Sequence, residues 1–510
     1  MNKYWLGTTS VWSNPSNWST SSGGVPGAMK PTSGDVAIFD GGGTGNCTLD
    51  EAVSCDDISA VAGYTGNFDQ NGQTITCLVA GFVWDGTGNL TVDGLITLAG
   101  NYEADDNIST YLQSGLELTF TASASVIINA IQTDQMKRIY VETGLTLTFA
   151  DNIILRNDGG NSIYFESGCT WAMGSRDCSI YSTGTMTGSN RPIILNGSTV
   201  TATSENSVIR ITPSGNSTVD VFDGDFSSAN GRIELGTTNA EGESQTYNLT
   251  GDIITNRLTI GRNEFGGVGS TVTLNMVTYD VSASESLYYD TIVPGTHSET
   301  VTVNLGTGTH TFGTITGSSD EEATWVLNMD SSTVKITGNL DFTDGSGEPR
   351  PDTWTINAGT STLEFTGTST QTLTSNGATF NIVKTTNTSG ELRFGDASHC
   401  ARYDFASGTT VKFKEGVIHE LDSYTSGDID GSTLRSLSDG TQWDFDNPAG
   451  MAVTGVDTKD SDAVLNIDAY TAVNTDSGNN SAKWLFSAPS TFQAAWAKGS
   501  NQILINGEQL

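Results

Sequence analysis

Histidine and cysteine are the side chains with which this chain could assemble the base and nucleophile of a hydrolase. Four histidines are present, and His399 is followed directly by Cys400. A thiol beside an imidazole is an activated nucleophile, but consecutive residues of an extended strand point to opposite faces, so this pair can meet only in a turn. No recognisable nucleophile motif surrounds any histidine. We therefore predict no catalytic role for the four, which are His297, His310, His399 and His419.

Neighbouring carboxylates are the second candidate chemistry, because polysaccharide hydrolysis uses two acids that flank the glycosidic bond. Alternate residues of a strand share one face, so such a pair would also suit a Ca²⁺ ion. With 58 acidic residues in the chain, neighbours of this kind arise by chance, and we assign them no catalytic role. The candidate groups are Asp223 with Asp225, Asp320 with Glu321 and Glu322, and Asp428 with Asp430.

Motifs for metals and redox chemistry are weak. The six cysteines contain no C-x-x-C pair, so neither a zinc cluster nor a redox motif is supported. The segment GGTGNCTL (residues 42–49) resembles a calcium-binding nonapeptide, but a cysteine replaces its aspartate and no second copy follows. We predict no metal and no cofactor, and we interpret the cysteines as buried thiols, although Cys169 and Cys178 could pair if adjacent coils bring them together. The six are Cys47, Cys55, Cys77, Cys169, Cys178 and Cys400.

A five-residue repeat must position these side chains. Its second and fourth places are apolar, and nine copies follow one another at spacings of 23 to 29 residues. A period in the twenties carried by short alternating strands is typical of a solenoid, in which each coil buries its apolar face against its neighbours. We predict an all-β, right-handed parallel β-helix (β-solenoid) with capping elements at both ends and at least two strands in each coil. The copies are PIILN (192), TVDVF (218), TYNLT (246), TVTLN (271), TVTVN (300), TWVLN (324), TWTIN (353), TFNIV (379) and RYDFA (402).

The alternation also predicts which side chains face the core. Trp325 and Ile356 are expected to point inward, whereas Lys335 and Glu364 point outward. His310 aligns with apolar residues of later coils and is expected inward or at the rim. Stacked asparagines can hydrogen-bond along a solenoid, but Asn occupies the fifth place in only five of the nine copies. We therefore expect a broken ladder, formed by Asn196, Asn275, Asn304, Asn328 and Asn357.

Charge and composition exclude several classes of function. The formal net charge of −36 repels phosphate backbones and anionic lipid, so we predict neither nucleic-acid binding nor a peripheral membrane role. No segment approaches the roughly 18 continuous apolar residues of a membrane-spanning helix, so we predict no membrane insertion. The modest hydrophobic fraction of 36% suits the narrow core of a solenoid.

Three parts of the sequence resemble β-solenoid surface proteins of tailed bacteriophages and bacterial adhesins. The opening resemblance lies in WSNPSNWS (12–19), GGVP (23–26) and PTSGDVAIFD (31–40). The central one lies in STLEFTG (361–367), QTL (371–373) and TFNI (379–382). The closing one lies in DSDA (460–463) and NNSAKWLF (479–486). The resemblance implies that the first stretch caps the first coil and that the protein has an exposed structural or adhesive role. It implies no catalytic residue.

The sequence divides into five predicted parts. They are an N-terminal cap (1–45), irregular coils (46–190), regular coils with a period near 26 (191–421), a terminal capping element (422–486) and a tail (487–510). The tail contains Trp496, Ile503, Leu504 and Ile505, which is too apolar for a plain linker. We expect it to dock onto a neighbouring copy in a homotrimer.

These features favour a structural protein on the surface of a bacteriophage particle, either a capsid decoration or fibre or a tail fibre or spike, with adhesion to the host surface. The opening residues show no secretion signal, which favours a virion protein over an exported bacterial one. Other virion proteins and host surface glycans are the expected partners. Two alternatives stay open. One is a polysaccharide-depolymerising tailspike, and the other is a bacterial cell-surface adhesin.

Overall fold

The computed structural model describes residues 1–105, 107–113, 115–128, 136–156, 162–181, 191–204, 207–222, 224–237, 243–263, 270–291, 299–319, 323–343, 353–470 and 473–486, with three short strands beyond them. The chain is a parallel β-solenoid of about 15 turns with 54% of its residues in strands. The described residues contain no α-helix. The predicted all-β solenoid is therefore confirmed. The chain divides into two compact units, Met1–Val334 with Asp344–Asn357, and Lys335–Thr343 with Ala358–Leu510.

The first unit begins with a tryptophan-rich layer. Strand Asn2–Trp5 pairs antiparallel with Trp18–Ser19 and parallel with Val36–Phe39, and the 3₁₀ helix Pro15–Asn17 lies between the first two. Trp5, Trp12 and Trp18 are buried, and the rings of the last two lie 4.7 Å apart at 73°. Two of the three indoles donate to backbone carbonyls, since Trp5 Nε1 donates to Gly45 and Trp18 Nε1 donates to Trp12, both at 2.8 Å. Edge-to-face aromatic packing thus covers the apolar end of the stack.

Parallel coils follow, and two long strands bend so that each contributes to two rows. These bent strands are Val53–Ala60 and Ile75–Trp84. One row continues through Leu95–Leu98, Glu117–Phe120, Arg138–Val141, Ile163–Phe165 and Ile193–Ile194. The other continues through Asn101–Ala104, Ala124–Ile128, Thr146–Phe149, Thr170–Gly174 and Thr199–Ala202. A short third row holds Cys47–Thr48, Phe68–Asp69, Asn89–Thr91 and Thr110–Leu112.

Two further sheets complete the first unit. One contains Ile153–Arg156, Cys178–Tyr181, Val208–Thr212, Phe226–Thr237, Ile253–Asn263, Val281–Thr291 and Thr309–Ser319. The other, here called the ladder sheet, contains Ser217–Val221, Ser244–Leu249, Thr271–Asn275, Glu299–Asn304, Ala323–Asn328 and Thr353–Asn357. Strand Thr333–Ile336 spans the division between the units in sequence.

The ladder sheet corrects the predicted repeat in two ways. It holds six of the nine copies, because PIILN belongs to the first coils and the last two copies belong to the second unit. It also shifts two copies by two residues: Asn248 pairs with Asn275, and Asp220 pairs with Asn248. An even shift leaves the inward and outward faces unchanged, so the apolar pattern could not detect it.

In the corrected register the polar ladder is continuous. From Asn248 to Asn357 each side-chain amide donates to the side-chain oxygen one coil earlier, over distances of 2.6 to 3.2 Å. The broken ladder predicted from sequence is wrong. Asn196 lies outside this row, in a turn with a φ of 46°, where it donates to the Phe165 carbonyl. The members are Asp220, Asn248, Asn275, Asn304, Asn328 and Asn357.

The predicted faces are confirmed with one qualification. Trp325 is 2% exposed and His310 is fully buried, whereas Lys335 and Glu364 are half-buried on the outer face. Ile356 is also only half-buried, because its strand is the terminal one of the ladder sheet.

The second unit repeats the coil with three parallel sheets. The first contains Leu340–Asp341, Gln371–Thr374, Glu391–Phe394, Thr410–Phe413, Thr433–Ser436, Asp457–Thr458 and Thr475–Asp476. The second contains Thr362–Phe365, Thr379–Thr385, Ser398–Phe405, Ile418–Leu421, Trp443–Asp446 and Ser461–Ala463. The third contains Met451–Ala452, Ile467–Asp468 and Trp484–Leu485. Three antiparallel strands follow at Ala495–Trp496, Ile503–Ile505 and Glu508–Gln509.

Candidate functional site

Asp225, one of the acidic residues that suggested glycosidase chemistry, caps a backbone group of the neighbouring coil. Oδ1 of Asp225 accepts from the backbone N–H of Asp252 at 3.0 Å, and Oδ1 of Asp252 accepts from that of Asp280 at 2.8 Å. Asp280 continues the row by accepting from Thr309 at 2.7 Å. The carboxylate of Asp225 is therefore one member of a structural row.

The carboxylates of Asp428 and Asp430 also accept hydrogen bonds from backbone N–H groups. Asp428 accepts from the backbone of Thr425 at 2.7 Å and lies 3.4 Å from the guanidinium of Arg402. Burial raises the pKa of Asp428. Asp430 accepts from the backbone of Thr454, one coil later, at 2.9 Å. The other candidate acids, Asp223, Asp320, Glu321 and Glu322, lie outside the described residues, as does His297.

Two histidines are buried and serve the same structural purpose. Nε2 of His310 lies 3.0 Å from the carbonyl of Leu305, and Nε2 of His419 lies 2.9 Å from the carbonyl of Lys414. Each imidazole thus satisfies a carbonyl five residues earlier at a coil corner. Desolvation lowers the pKa of both, and that of His419 falls to about 4. Both histidines are therefore neutral at physiological pH.

His419 also forms a hydroxyl–imidazole pair that resembles the start of a catalytic triad. Its Nδ1 lies 2.9 Å from Oγ of Ser398, which in turn lies 2.9 Å from the hydroxyl of Tyr403. Because Nε2 donates to a carbonyl, Nδ1 must accept from Ser398. All three side chains are at most 2% exposed, so no substrate can reach the hydroxyl. The relay satisfies buried polar groups.

His399 and Cys400 point to opposite faces of strand Ser398–Phe405, as alternation predicts. Cys400 is buried, whereas the side chain of His399 is 37% exposed. The thiol and the imidazole therefore cannot act as a dyad. His399 instead faces outward, where residues of the next coil surround it.

The outward imidazole of His399 meets two carboxylates. Its Nε2 lies 2.9 Å from Oδ1 of Asp422, and its Nδ1 lies 3.6 Å from Oε2 of Glu420. One ligand atom from each residue can be chosen so that the three lie within 4.8 Å of one another. We call His399, Glu420 and Asp422 the outer cluster. An imidazole with two carboxylates is a donor set that divalent metals accept.

The backbone fixes the outer cluster. Thr379 pairs with His399, His399 pairs with Glu420, and Glu420 pairs with Asp446, so four outward side chains from successive coils form one row. Oγ1 of Thr379 lies 3.3 Å from Nδ1 of His399 and helps to orient the ring. Sequence spacing did not show this arrangement. The length of the local coil could have revealed it, because Glu420 follows His399 by 21 residues, which is one turn of the solenoid at this point.

A groove of about 220 Å³ opens beside the outer cluster. Ile418, which is 59% exposed, contributes an apolar wall. His399 and Glu420, two of the three residues of the outer cluster, therefore line a space that can admit water or a small ligand. The groove is lined by Gly377, Ala378, Ala397, Ser398, His399, Ile418 and Glu420.

The first unit has an outer groove of different character, about 250 Å³ in volume. The rings of Tyr140 and Tyr164, in register on successive coils, stack at 5.0 Å and 11°. The guanidinium of Arg138 lies 5.7 Å from the Tyr140 ring. The Tyr140 hydroxyl donates to Glu166, and this hydrogen bond raises the pKa of Tyr140 to about 12. We call this surface the tyrosine groove. It is lined by Leu95, Glu117, Leu118, Thr119, Arg138 and Tyr140.

The six cysteines are buried free thiols. Cys169 and Cys178 do not pair, because they adjoin different sheets: Thr170, the residue after Cys169, has Thr146 and Thr199 as its neighbours, whereas Cys178 has Ile153 and Ile209. The thiols that the coils do stack are those of Cys55 and Cys77. A hydrogen bond with Cys55, together with burial, raises the pKa of Cys77.

No helix in the described part of the chain has the length and apolarity needed to cross a membrane. Comparisons of the chain with protein-family models, curated proteins and solved structures found no match.

Proposed function

We propose that this protein is a structural component exposed on the surface of a tailed-bacteriophage particle, as a capsid decoration or fibre or as a tail fibre or spike, and that it adheres to the host surface. The observation that carries the structural part is the Asn ladder with the Asp225 row. In both, side chains that could serve chemistry are bound to neighbouring coils. Such rows rigidify a stack of coils, which suits a scaffold.

The tyrosine groove supports the adhesive part. Tyr140 and Tyr164 are half-buried aromatic side chains on the outer face whose rings stack on each other, and Glu117 and Arg138 provide hydrogen-bonding groups beside Tyr140. The flat, apolar C–H faces of sugar rings stack on aromatic side chains, while carboxylate and guanidinium groups bind hydroxyls. Host surface glycans are therefore the proposed ligands, and other virion proteins are the proposed structural partners.

Two measurements test the adhesive role together. The full-length protein is incubated with host capsular polysaccharide or lipopolysaccharide, and binding and the release of reducing ends are followed. We expect binding without cleavage, weakened about tenfold or more by Tyr140→Ala and retained by Tyr140→Phe, because the phenylalanine ring preserves the stacking energy. Tyr288→Ala is the matched control, since Tyr288 is another outward tyrosine, stacked against Arg257. Equal binding by Tyr140→Ala and the native protein would refute the proposal that the tyrosine groove binds glycans.

Cleavage of the glycan would favour the depolymerase instead. Loss of cleavage on replacing Asp225, or one of the acids outside the described residues, would identify the responsible carboxylates. Imaging of gold-labelled protein distinguishes the remaining possibilities. Label on virus particles supports the proposal, whereas label confined to the bacterial cell surface would support an adhesin.

A further inference from the structure

The outer cluster carries an uncompensated concentration of negative charge. Glu420 and Asp446 are in register on adjacent parallel strands, and Asp422 follows closely on the same coil as Glu420. Within the described part of the chain, no lysine or arginine nitrogen lies within 4.0 Å of these carboxylates, and the imidazole of His399 is the nitrogen group beside Glu420 and Asp422. Like charges directly opposite each other on neighbouring strands are destabilising. A net charge of −36 adds to the local negative potential.

We propose that His399, Glu420 and Asp422 bind a divalent transition-metal ion such as Zn²⁺. Zinc accepts imidazole nitrogen and carboxylate oxygen at about 2.0 to 2.2 Å, so two ligand atoms of a tetrahedral zinc ion lie about 3.3 to 3.6 Å apart. The three chosen atoms already lie within 4.8 Å of one another. Small rotations of exposed side chains are enough to close the shell.

The donor set decides the class of metal. An imidazole favours zinc, nickel, cobalt or copper, whereas Ca²⁺ and Mg²⁺ prefer shells made of oxygen atoms. Asp446, one coil beyond Glu420, supplies negative charge at the edge of the site without being one of the three ligands. The adjoining groove leaves coordination positions open to water or to a small ligand.

The ion would connect two coils. His399 lies on Ser398–Phe405 and Glu420 lies on Ile418–Leu421, so one ion bound to both would resist their separation. A ligand that binds only the folded chain stabilises it in proportion to the logarithm of its concentration. Metal binding should therefore raise the thermal midpoint of the second unit.

The test uses the full chain, freed of metal with a chelator. Zn²⁺ is titrated by calorimetry, and Co²⁺ binding is followed by its visible absorption, which reports coordination by protein ligands. We expect one saturable site and a higher thermal midpoint with Zn²⁺. His399→Ala and Glu420→Gln should each weaken affinity about tenfold or more. The matched control is Asp444→Asn, which removes an outward carboxylate that pairs with Ile418 rather than with the cluster.

Three results would overturn the site. They are absence of saturable binding, equal affinity in the native protein and His399→Ala, and a loss in Asp444→Asn as large as in Glu420→Gln. The last two outcomes would mean that the ion only screens the acidic surface. Circular dichroism of each variant without metal confirms that loss of binding does not reflect unfolding.

Discussion

The side-chain amide of Asn304 donates a 2.7 Å hydrogen bond to the side-chain oxygen of Asn275, one coil earlier. Asn328 then donates to Asn304 at 2.6 Å. Asn304 is thus bound on both sides, in the interior of a ladder that extends from Asp220 to Asn357. Six coils of the first unit are therefore joined by a row of side-chain hydrogen bonds as well as by the backbone hydrogen bonds of the ladder sheet.

Replacing a middle member of the ladder should destabilise the first unit. Asn304→Ala leaves an acceptor on Asn275 and a donor on Asn328 without their partners, which costs about 1 to 3 kcal/mol. Thermal unfolding followed by circular dichroism measures the loss. Asn357→Ala is the matched control, because Asn357 is exposed and donates a single bond of the ladder. An Asn304→Ala midpoint equal to that of the native protein would show that the ladder contributes nothing to stability.

A charge placed at Trp325 should unfold the surrounding coils. Trp325 is 2% exposed and its ring lies 4.9 Å from that of Trp354. An unpaired carboxylate buried there, together with the lost ring, costs about 4 kcal/mol or more.

Val326→Asp, on the adjacent outward position, should be tolerated, as should Lys335→Ala and Glu364→Ala. Ile356→Asp should have a smaller effect than Trp325→Asp because Ile356 is half-buried. Limited proteolysis and thermal midpoints rank the five proteins, and similar values for Trp325→Asp and Val326→Asp would contradict the register.

Stability should fall on acidification because of His419. Desolvation lowers its pKa from 6.5 to about 4 in the folded protein, so the unfolded chain takes up the proton first as the pH decreases. The stabilisation that neutral His419 gives to the folded state is present above about pH 6.5 and is lost progressively between about pH 6.5 and 4. Between pH 7 and 5 the loss is about 2 kcal/mol.

The contribution of His419 to stability is measured by comparing the unfolding midpoints of the native protein and of His419→Gln between pH 4 and 7. The difference between the two proteins should shrink toward low pH, since the variant lacks the titrating group. His310, whose pKa burial also lowers, is retained in both proteins and cancels in the difference. A difference that is constant with pH would exclude His419 as the cause.

The C-terminal residues 487–510 should hold a homotrimer together. Three strands of this segment pair with one another in antiparallel fashion, and its apolar residues favour contact with another copy. We expect sedimentation at about three times the chain mass of 53.7 kDa, and a monomer after deletion of residues 487–510. Lys335→Ala is the control and should remain trimeric. A native monomer at micromolar concentration, unchanged by the deletion, would refute this assembly.

The sequence by itself determined the class of fold and the direction of most side chains. Alternation between apolar and polar residues fixes two faces of a strand, so Trp325, His310 and the separation of His399 from Cys400 could be predicted without coordinates. Apolar residues recurring at intervals in the twenties require stacking, because one coil cannot bury them alone.

Only the tertiary structure decided which residues of different coils meet. The alternation has a period of two, so it could not distinguish the true pairing of Asn248 with Asn275 from one shifted by two residues. Loops of variable length also separate the strands, so no constant spacing relates one coil to the next. His399 and Glu420 lie side by side because the loop between their strands makes a coil of 21 residues. That length is set by turn geometry and packing, which neither composition nor local motifs express.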